Sequence, residues 1–311
     1  MKAVYMINGF LESGKSEFIR YTIAQRYFAI KGKTLLICCE EGEIEYDLEA
    51  LKKSNTVLVN IEEEEDFNVD YLMALDKTHN PERIIIEWNG MWKFKDLKLP
   101  LHWSIEQQIT EIDTRTFEIY YANMRSQLSE MFRNSGLVIF NRCEEQGDKL
   151  TNFKRNVRAL NQNCQIVFED KNGEVDVFIA EDLPYDINAD EIELTDDTYG
   201  IWFLDCIEGI ERNLGKTLTF YGVVAALEPI ENVFLPGRMA MTCCADDLEL
   251  LAFPCIYDKV NTLVEGEWVK VVATLEFRKN SIYKGEEGPV LVAKRVVKAS
   301  EPKKAVIDFN S

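Results

Sequence analysis

The stretch MINGFLESGKS, residues 6–16, opens on an apolar run and closes on a lysine and a serine. Gly9, Gly14, Lys15 and Ser16 fill the spacing G-x-x-x-x-G-K-[ST]. Glycines at these two positions let the backbone turn tightly, so that successive N–H groups point at one anion. An apolar strand pattern precedes the loop and a helical pattern follows it, which is the context that such a loop needs. The stretch therefore predicts a phosphate-binding loop.

The last two residues of this loop have predicted chemical roles. Lys15 reaches the β- and γ-phosphates of a nucleotide, and the Ser16 hydroxyl ligates Mg²⁺. The helix that starts near Lys15 adds the positive end of its dipole. A second acid is needed near the ion or the attacking water, and Glu87, which ends the apolar run RIIIEW, is the candidate. The alternative for Glu87 is an ordinary surface acid at a strand end.

Strand and helix patterns alternate through the first half of the chain. One helical face over residues 15–31 carries Phe18, Ile19, Thr22, Ile23 and Tyr27. Strands are predicted within residues 3–7, 33–39, 56–61, 83–88, 108–121, 136–141 and 165–170, with further helices over 122–134 and 149–161. Apolar runs separated by helices indicate an α/β fold whose mostly parallel sheet is covered on both faces. Ligands of such sheets bind beyond the carboxyl ends of the strands.

The pattern changes in the second half. Residues 181–199 are rich in acids and predict a linker that follows a first domain over residues 1–180. A helix is then predicted over the segment YGIWFLDCIEGIERNL. β-rich segments with glycine and proline follow, without long helices between them. Residues 200–311 therefore predict a smaller, β-rich domain, such as an OB-like barrel.

Composition narrows the classes of partner. The 311 residues carry a formal net charge of -19, which opposes general binding to nucleic acid or to anionic lipid. No apolar run approaches the length of a membrane span, so we expect no membrane insertion. Eight cysteines without a secretory leader favour the reducing cytoplasm, with thiols free or bound to metal.

Four segments, in this order along the chain, resemble the CobW/HypB/UreG group of P-loop GTPases, and CobW most closely. The first is the loop INGFLESGKS, and the fourth, IFNRCE, is similar to the guanine motif N-K-x-D with Arg142 and Glu144 substituted. The second, CEEGEIEYD, is similar to a switch segment N-E-x-G-E-x-x-x-D, and the third, IIIEWNG, to I-I-E-x-S-G. The matching residues of these two segments are Glu40, Gly42, Glu43, Asp47, Glu87 and Gly90.

The resemblance implies a protein that binds GTP and GDP with Mg²⁺, hydrolyses GTP slowly, and delivers a metal or cofactor to a client. It implies catalytic roles for Lys15, Glu87 and Glu40. Asn141 and Glu144 also have the spacing to hydrogen-bond a guanine ring. The predicted nucleotide-binding residues are Gly9, Glu12, Ser13, Gly14, Lys15, Ser16, Glu17, Asn141, Arg142 and Glu144. The sequence departs from the family at Glu17, where a threonine is usual, and lacks its C-x-C-C motif.

The second half resembles the soluble tail of the YcgQ family, whose members are paired with a predicted permease. The segments GKTLTFYGVV, RMAMTCCADD and EWVKVVATLEF carry this similarity. Soft thiolates are candidate zinc ligands, so the second domain can hold a site built from Cys243 and Cys244 with Asp246, Asp247 and Cys255. The alternative is that these cysteines are small buried hydrophobic residues. Cys39, at a strand end near the loop, is a candidate to face the cleft, with the same buried hydrophobic role as its alternative.

Two other functions stay open at the level of sequence. The chain can be a nucleotide-sensing switch or scaffold that does not hydrolyse its nucleotide and docks a metal-transport partner. The missing C-x-C-C and the altered guanine motif favour this alternative. The third hypothesis is a kinase-like ATPase that acts on a small molecule. If the chain is a GTPase, its turnover is expected to be slow without a partner, because no arginine finger is evident.

Overall fold

A computed structural model describes residues 1–40, 46–177, 183–228, 232–241 and 248–307. Contacts divide the chain into two compact units. The first unit comprises Met1–Leu150 and Asn163–Val177, and the second takes Thr151–Gln162 with the residues that follow Val177. Gly42 and Glu43 of the predicted switch segment lie outside the described residues.

The first unit is built on one eight-stranded sheet, counted over the described residues. Its strands are β1 (Lys2–Asn8), β2 (Thr34–Cys38), β3 (Thr56–Asn60), β4 (Arg83–Glu87), β5 (Trp103–Asp113), β6 (Leu137–Asn141), β7 (Gln165–Asp170) and β8 (Gly173–Glu174). The strand order is β3-β2-β4-β1-β5-β6-β7-β8, and every pair is parallel except β7 with β8. The predicted α/β fold with a mostly parallel sheet is confirmed.

The helices between these strands are α1 (Lys15–Ile23), α2 (Leu48–Lys53), α3 (Val69–His79), α4 (Thr114–Asn123), α5 (Arg125–Arg133) and α6 (Gly147–Leu160). Side-chain caps start three of them. Asp47 caps α2, Asn68 caps α3 and Asp113 caps α4, each by accepting a hydrogen bond from a backbone N–H of the first turn. Such caps satisfy donors that a helix end otherwise leaves unpaired.

Both faces of the sheet are covered, because successive strand residues point to opposite sides. Ile85 packs with Ile19 of α1 and Leu51 of α2 on one face. Its neighbours Ile84 and Ile86 join a cluster with Leu72 and Leu75 of α3 on the other face. The unbroken run of buried isoleucines in β4 is what a central parallel strand requires.

Two element predictions were wrong in extent. The helix over residues 15–31 ends at Ile23, and Tyr27 lies in a 3₁₀ turn with 78% of its surface exposed. The strand over residues 108–121 ends at Asp113, where α4 begins. The β-branched and aromatic side chains of this segment have a high propensity for strands. The Asp113 carboxylate instead caps the first turn of a helix, and the segment is helical from Thr114 onward.

The second unit contains α7 (Tyr199–Glu208) and a second sheet. Its strands are β9 (Glu191–Glu193), β10 (Thr217–Glu228), β11 (Val233–Met241), β12 (Leu248–Ala252), β13 (Cys255–Ile256), β14 (Trp268–Lys279), β15 (Glu287–Lys298) and β16 (Val306–Ile307). β10, β14, β15, β13 and β11 pair in that order, and β11 pairs again with β10, so these five strands close a ring. The predicted β-rich domain is confirmed, and β9 lies within the predicted linker.

The core of this ring is apolar. Trp202 of α7 packs with Phe220 of β10 and Val271 of β14, all fully or almost fully buried. The Tyr199 hydroxyl donates to the Leu251 carbonyl oxygen at 3.0 Å, which satisfies its one buried polar group. Helix α7 therefore belongs to the core of the second unit.

Candidate functional site

Polar residues collect where the strands of the first unit end. The register sets Glu87 beside both Ile7 and Cys38, at the ends of β4, β1 and β2. Asp113 pairs with Asn141 at the ends of β5 and β6. Because the strands are parallel, these carboxyl ends meet at one edge of the sheet, where doubly covered sheets bind ligands.

The loop after β1 has a backbone that only glycine fits at two points. Gly9 and Gly14 have φ of 143° and 105°, in the region that side chains disfavour. A Cβ on Gly9 would lie 2.3 Å from the Glu111 carbonyl oxygen, and one on Gly14 would lie 2.8 Å from Asn141 Nδ2. Gly90 also packs on this loop, since a Cβ there would lie 2.3 Å from the Gly9 carbonyl oxygen. The loop is therefore held by close backbone contacts.

Helix α1 begins directly at the end of this loop. Gly14 occupies the cap position and supplies no side-chain hydrogen bond to the first turn. The first N–H groups of a helix have no partner within it, and the helix dipole is positive at this end. These two properties make the start of α1 suited to an anion.

Lys15 points across the loop rather than into solvent. Its Nζ donates to the carbonyl oxygens of Gly9 at 3.0 Å and Phe10 at 2.8 Å, and to Glu40 Oε2 at 2.5 Å. Lys15 is buried, with 3% of its surface exposed. Burial raises the pKa of Glu40, although the Lys15 ammonium opposes that rise. The Glu40 carboxylate is thus one of three acceptors around this ammonium group.

Ser16 and Glu87 meet at the same edge. Ser16 Oγ donates to Glu87 Oε1 at 2.6 Å, and the Tyr46 hydroxyl donates to Glu87 Oε2 at 2.6 Å. The Cys38 thiol lies 3.4 Å from the same Oε2. Burial, and then the negative charge of Glu87, raises the pKa of Cys38 to about 12 and also raises the pKa of Tyr46. Glu87 is therefore a buried acid that receives hydrogen bonds from three neighbours.

These groups border a cavity of about 240 Å³. Its lining combines loop residues with three acids and three cations: Leu11, Glu12, Ser13, Gly14, Lys15, Ser16, Glu40, Glu87, Arg115 and Arg142. The structure thus brings together Glu12, Ser13, Gly14, Lys15, Ser16, Glu40, Glu87 and Arg142 of the predicted set.

Two side chains tie the end of β6 to the loop. Asn141 Nδ2 donates to the Ser13 carbonyl oxygen at 2.7 Å. Arg142 Nη1 donates to the Glu12 carbonyl oxygen at 3.0 Å and to Asp113 Oδ2 at 2.8 Å. Arg115 also pairs with Asp113, through Nη2 at 2.6 Å. Burial alone would raise the pKa of Asp113, but its hydrogen bonds to Arg115 and the nearby charge of Arg142 hold that pKa below its usual value.

Two predicted residues point elsewhere. The Glu144 carboxylate accepts a hydrogen bond from the Lys171 backbone N–H at 3.0 Å. Glu17 lines a separate groove of about 380 Å³ with Tyr21 and Asp47, between α1 and the start of α2. Neither borders the 240 Å³ cavity.

Cys39 does not face the cleft, and the alternative of a small buried hydrophobic residue holds for it. It is fully buried and packs in the core with Val4 and Trp88. Its neighbour Cys38 is the thiol beside Glu87. Because successive strand side chains point to opposite faces, the sequence predicts that the Cys38 and Cys39 thiols lie on opposite sides of the sheet. It does not show which of the two thiols faces the core.

Sequence reasoning also missed Tyr46, Arg115 and Glu111. Tyr46 lies within the segment CEEGEIEYD but at none of its matching positions, and Arg115 is near no recognised motif position. Their roles come from the fold, which brings Tyr46 to Glu87 and Arg115 to Asp113. Glu111 had a visible signal, because an acid in an apolar strand is uncommon. It is 2% exposed in β5 and hydrogen-bonds Asn141.

The candidate zinc ligands are only partly within the described chain. Cys243, Cys244, Asp246 and Asp247 lie outside the described residues. Cys255 is fully buried in the apolar core of the second unit. Among the residues that the structure describes, no cluster of three or more histidine, cysteine or acidic side chains is arranged to hold a metal. Within the same residues, no helix is long and apolar enough to cross a membrane.

A parallel sheet with this loop and helix is a P-loop NTPase-like fold. Residues 3–168 match the family described as "CobW/HypB/UreG, nucleotide-binding domain". Since this match covers more than half of the 311 residues, the chain belongs to that family. Residues 173–307 match a second family, described as "DUF1980 C-terminal domain". The prediction of two families, one in each half, is confirmed.

Solved structures give similarities of low identity. HypB from Archaeoglobus fulgidus is 17% identical, with a TM-score of 0.40 over 56% of this chain and 84% of that one. Zn(II)-bound YjiA GTPase from E. coli is 19% identical, with a TM-score of 0.41 over 57% of this chain. The aligned part spans 59% of the YjiA chain. HypB from Helicobacter pylori, in complex with nickel, is 12% identical, with a TM-score of 0.34 over 54% and 79%. No curated protein matches the chain.

Proposed function

We propose that the protein binds GTP and GDP with Mg²⁺ and hydrolyses GTP slowly. The observation that carries this proposal is the convergence of Lys15, Ser16 and Glu87 at the start of α1, on one cavity of about 240 Å³. An ammonium, a hydroxyl and a carboxylate at the end of a phosphate loop are the groups that a nucleoside triphosphate and its ion need. Membership of the nucleotide-binding family supports the same proposal.

The donor set fits Mg²⁺. Ser16 Oγ and Glu87 Oε1 are hard oxygen ligands 2.6 Å apart, and Mg²⁺ is usually held by one or two carboxylates together with phosphate oxygens. When bound, the ion neutralises charge that develops on the phosphates. Tyr46 holds the other Glu87 oxygen and so fixes the orientation of that carboxylate.

The remaining residues of the cavity bind and orient. Lys15 neutralises phosphate charge once its ammonium exchanges Glu40 for a phosphate oxygen. Glu40 then lies next to the terminal phosphate, where a carboxylate can orient the attacking water. Asn141 and Arg142 hold the loop in shape through its carbonyl oxygens. Glu144 stays the predicted guanine contact, although its carboxylate accepts from the Lys171 N–H and lies outside the 240 Å³ cavity, and Glu17 likewise stays a prediction only. Glu12, Ser13 and Gly14 line the cavity, and Gly9 shapes the same loop.

Slow turnover follows from the state of the two arginines that line the cavity. Arg115 and Arg142 both pair with Asp113. An arginine held by a carboxylate is not available to stabilise charge on a transferring phosphoryl group. We therefore expect hydrolysis to accelerate when a partner supplies a cation or frees one of these arginines.

We further propose that hydrolysis is coupled to metal or cofactor delivery in the cytoplasm. Family membership supports this role. The β-rich domain would contact the client or a metal-transport partner, and its closed ring of five strands supports an OB-like barrel. Zinc bound by Cys243 and Cys244 remains part of this proposal.

The second candidate function is a nucleotide-sensing switch or scaffold for a metal-transport partner, without hydrolysis. The Lys15–Glu40 ion pair favours it, because a triphosphate must displace a buried carboxylate before Lys15 can engage the phosphates. In this function the exchange of Glu40 for phosphate is the signal itself. GTP binding is shared by both functions, and only turnover separates them.

The test is a titration with GTP, GDP and ATP in the presence of Mg²⁺, followed by phosphate release. We expect GTP and GDP to bind more tightly than ATP, and slow phosphate release that Glu87→Ala abolishes. Tight binding with no release above that of Glu87→Ala selects the switch. Preference for ATP, or binding of no nucleotide, contradicts the proposal.

A further inference from the structure

A carboxyl group lies buried directly beneath the phosphate loop. Glu111, on β5, has 2% of its surface exposed. Its Oε2 accepts a hydrogen bond from Asn141 Nδ2 at 3.2 Å and lies 3.8 Å from where a Cβ on Gly14 would be. The same Asn141 nitrogen donates to the Ser13 carbonyl oxygen. The Asn141 side chain thus links Glu111 by hydrogen bonds to the loop that would hold the phosphates.

The surroundings of Glu111 oppose its ionised form. Its Oε1 is buried and has no hydrogen-bond partner among the described residues. An ionised carboxylate with one oxygen unsatisfied in a dry site is costly, so the neutral acid is favoured. Burial raises the pKa of Glu111 to about 8, although the hydrogen bond from Asn141 opposes this.

The charged groups near Glu111 act on its pKa in opposite directions. Lys15 of the loop and Arg142 after β6 lower its pKa, whereas Glu169 on β7 raises it. Both cations already have acidic partners, because Lys15 pairs with Glu40 and Arg142 pairs with Asp113 on the same strand as Glu111. Within the described residues, neither of these two cations therefore forms an ion pair with Glu111.

We propose that Glu111 is a proton-linked positioning residue for the nucleotide. In its neutral form it supports Asn141 and the loop without adding negative charge under the phosphates. In its ionised form it places a like charge beneath the polyphosphate, which weakens binding. This inference rests on the proposed nucleotide function and names a way in which that site is regulated.

Thermodynamic reciprocity fixes the direction of the coupling. If ionised Glu111 weakens nucleotide binding, bound nucleotide must favour the neutral form of Glu111. A nucleotide that binds where Glu111 is partly ionised must then take up a proton from solvent. The affinity should fall as pH rises above about 8, by at most tenfold per pH unit for a single proton.

The experiment measures the Kd of a non-hydrolysable GTP analogue with Mg²⁺ between about pH 7.5 and 9.5. This range lies above the phosphate ionisation at about pH 6. We expect the Kd of the wild type to rise by roughly tenfold or more across the range. Glu111→Gln, which keeps the shape and cannot ionise, should give a nearly flat profile. Glu169→Gln is the matched control: it should keep the dependence and shift it to lower pH, because Glu169 raises the pKa of Glu111.

A second measurement does not depend on the folding of any variant. Titrations of the wild type near pH 8.5, in two buffers of different ionisation enthalpy, give the number of protons exchanged on binding. We expect net uptake of a fraction of one proton. Tight binding with no proton uptake, or equal pH profiles for wild type and Glu111→Gln, overturns this inference alone. Absence of nucleotide binding at every pH overturns the proposed function as well.

Discussion

The ion pair between Lys15 and Glu40 is the contact that a bound phosphate would have to replace. The ammonium and the carboxylate are 2.5 Å apart, and both side chains are largely buried. A phosphate oxygen must replace Glu40 at this ammonium, so the strength of the ion pair sets part of the cost of binding. The same carboxylate then lies beside the reacting phosphate, which makes it a candidate for orienting water.

Glu40→Gln separates these two effects. We expect the triphosphate to bind at least roughly fivefold more tightly, since a like charge about 4 Å from a phosphate costs about 1 kcal/mol even in bulk water and more at a largely buried site. We expect kcat to fall roughly 10²-fold, because the amide cannot act as a base. Equilibrium titration and phosphate release measure the two quantities. Glu62→Gln, an exposed acid beyond β3, is the control, and weaker binding with unchanged kcat contradicts these roles.

Burial, and then the negative charge of Glu87, raises the pKa of the Cys38 thiol. Since its pKa is raised to about 12, the thiol stays protonated at neutral pH, and only the thiolate reacts with iodoacetamide. We expect alkylation at pH 7.5 to be roughly 10³-fold slower than for an ordinary thiol. The rate should rise about tenfold per pH unit, and Glu87→Gln should accelerate it.

Peptide mass spectrometry resolves Cys38 from the other cysteines, and Cys38→Ser removes the signal. Alkylation of Cys38 at the rate of a free thiol near neutral pH would show that neither burial nor Glu87 acts on it as described.

At the scale of elements, the loop after β1 depends on the turn after β4. Gly90 carries no side chain because a Cβ would lie 2.3 Å from the Gly9 carbonyl oxygen. The obstacle is backbone, so rotation of a side chain cannot relieve it. The position of the phosphate loop is thus set partly by a segment that is distant in sequence.

Gly90→Ala should therefore displace the loop and weaken binding of the GTP analogue by roughly tenfold to 10²-fold. Gly147→Ala is the matched control, because a Cβ at Gly147 meets nothing within 4 Å. Equilibrium titration of both variants, with circular dichroism to check their folds, measures the difference. Equal affinities for the two variants would mean that the turn does not position the loop.

Prediction from sequence succeeded where local pattern decides structure. The strands β2, β3, β4 and β6 were each predicted within about two residues, because buried parallel strands are continuous apolar runs. The same reasoning failed at α4, where Thr116, Ile119 and Tyr120 imitate a strand and one cap decides otherwise. Propensity is a weak guide when a cap or a tertiary contact opposes it.

In the candidate site, too, residues of a local motif are predictable from sequence, whereas residues brought together by the fold are not. Gly14, Lys15 and Ser16 follow from spacing alone, because the phosphate loop is local. Cys38 and Tyr46 could not be placed by pattern, since only the fold brings them to Glu87. The domain limits 1–180, 181–199 and 200–311 stay predictions, as does the zinc site at Cys243 and Cys244.

At the scale of the whole molecule, the net charge of -19 repels the proposed ligand. A nucleotide must approach through a negative field before it meets the local positive potential of the loop. Salt screens the distant charges first, because the Debye length falls from about 10 Å at 0.1 M to about 3 Å at 1 M. The contacts of buried Lys15 are screened less.

We therefore expect the association rate constant of the GTP analogue to rise as ionic strength increases from about 0.05 to 0.5 M. Guanosine, which has no phosphate, is the control and should associate at a rate that salt hardly changes. Stopped-flow measurements give both constants. A steep fall for the analogue would mean that local cations, and not the acidic surface, govern its approach.

The most direct test of the central claim is the Kd of a non-hydrolysable GTP analogue with Mg²⁺ for the wild type and for Lys15→Ala. Removing one partner of a buried, charge-assisted contact costs about 2–5 kcal/mol. We predict that Lys15→Ala raises the Kd by roughly 10²-fold or more while circular dichroism stays unchanged. A folded variant that binds the analogue as tightly as the wild type would contradict the account.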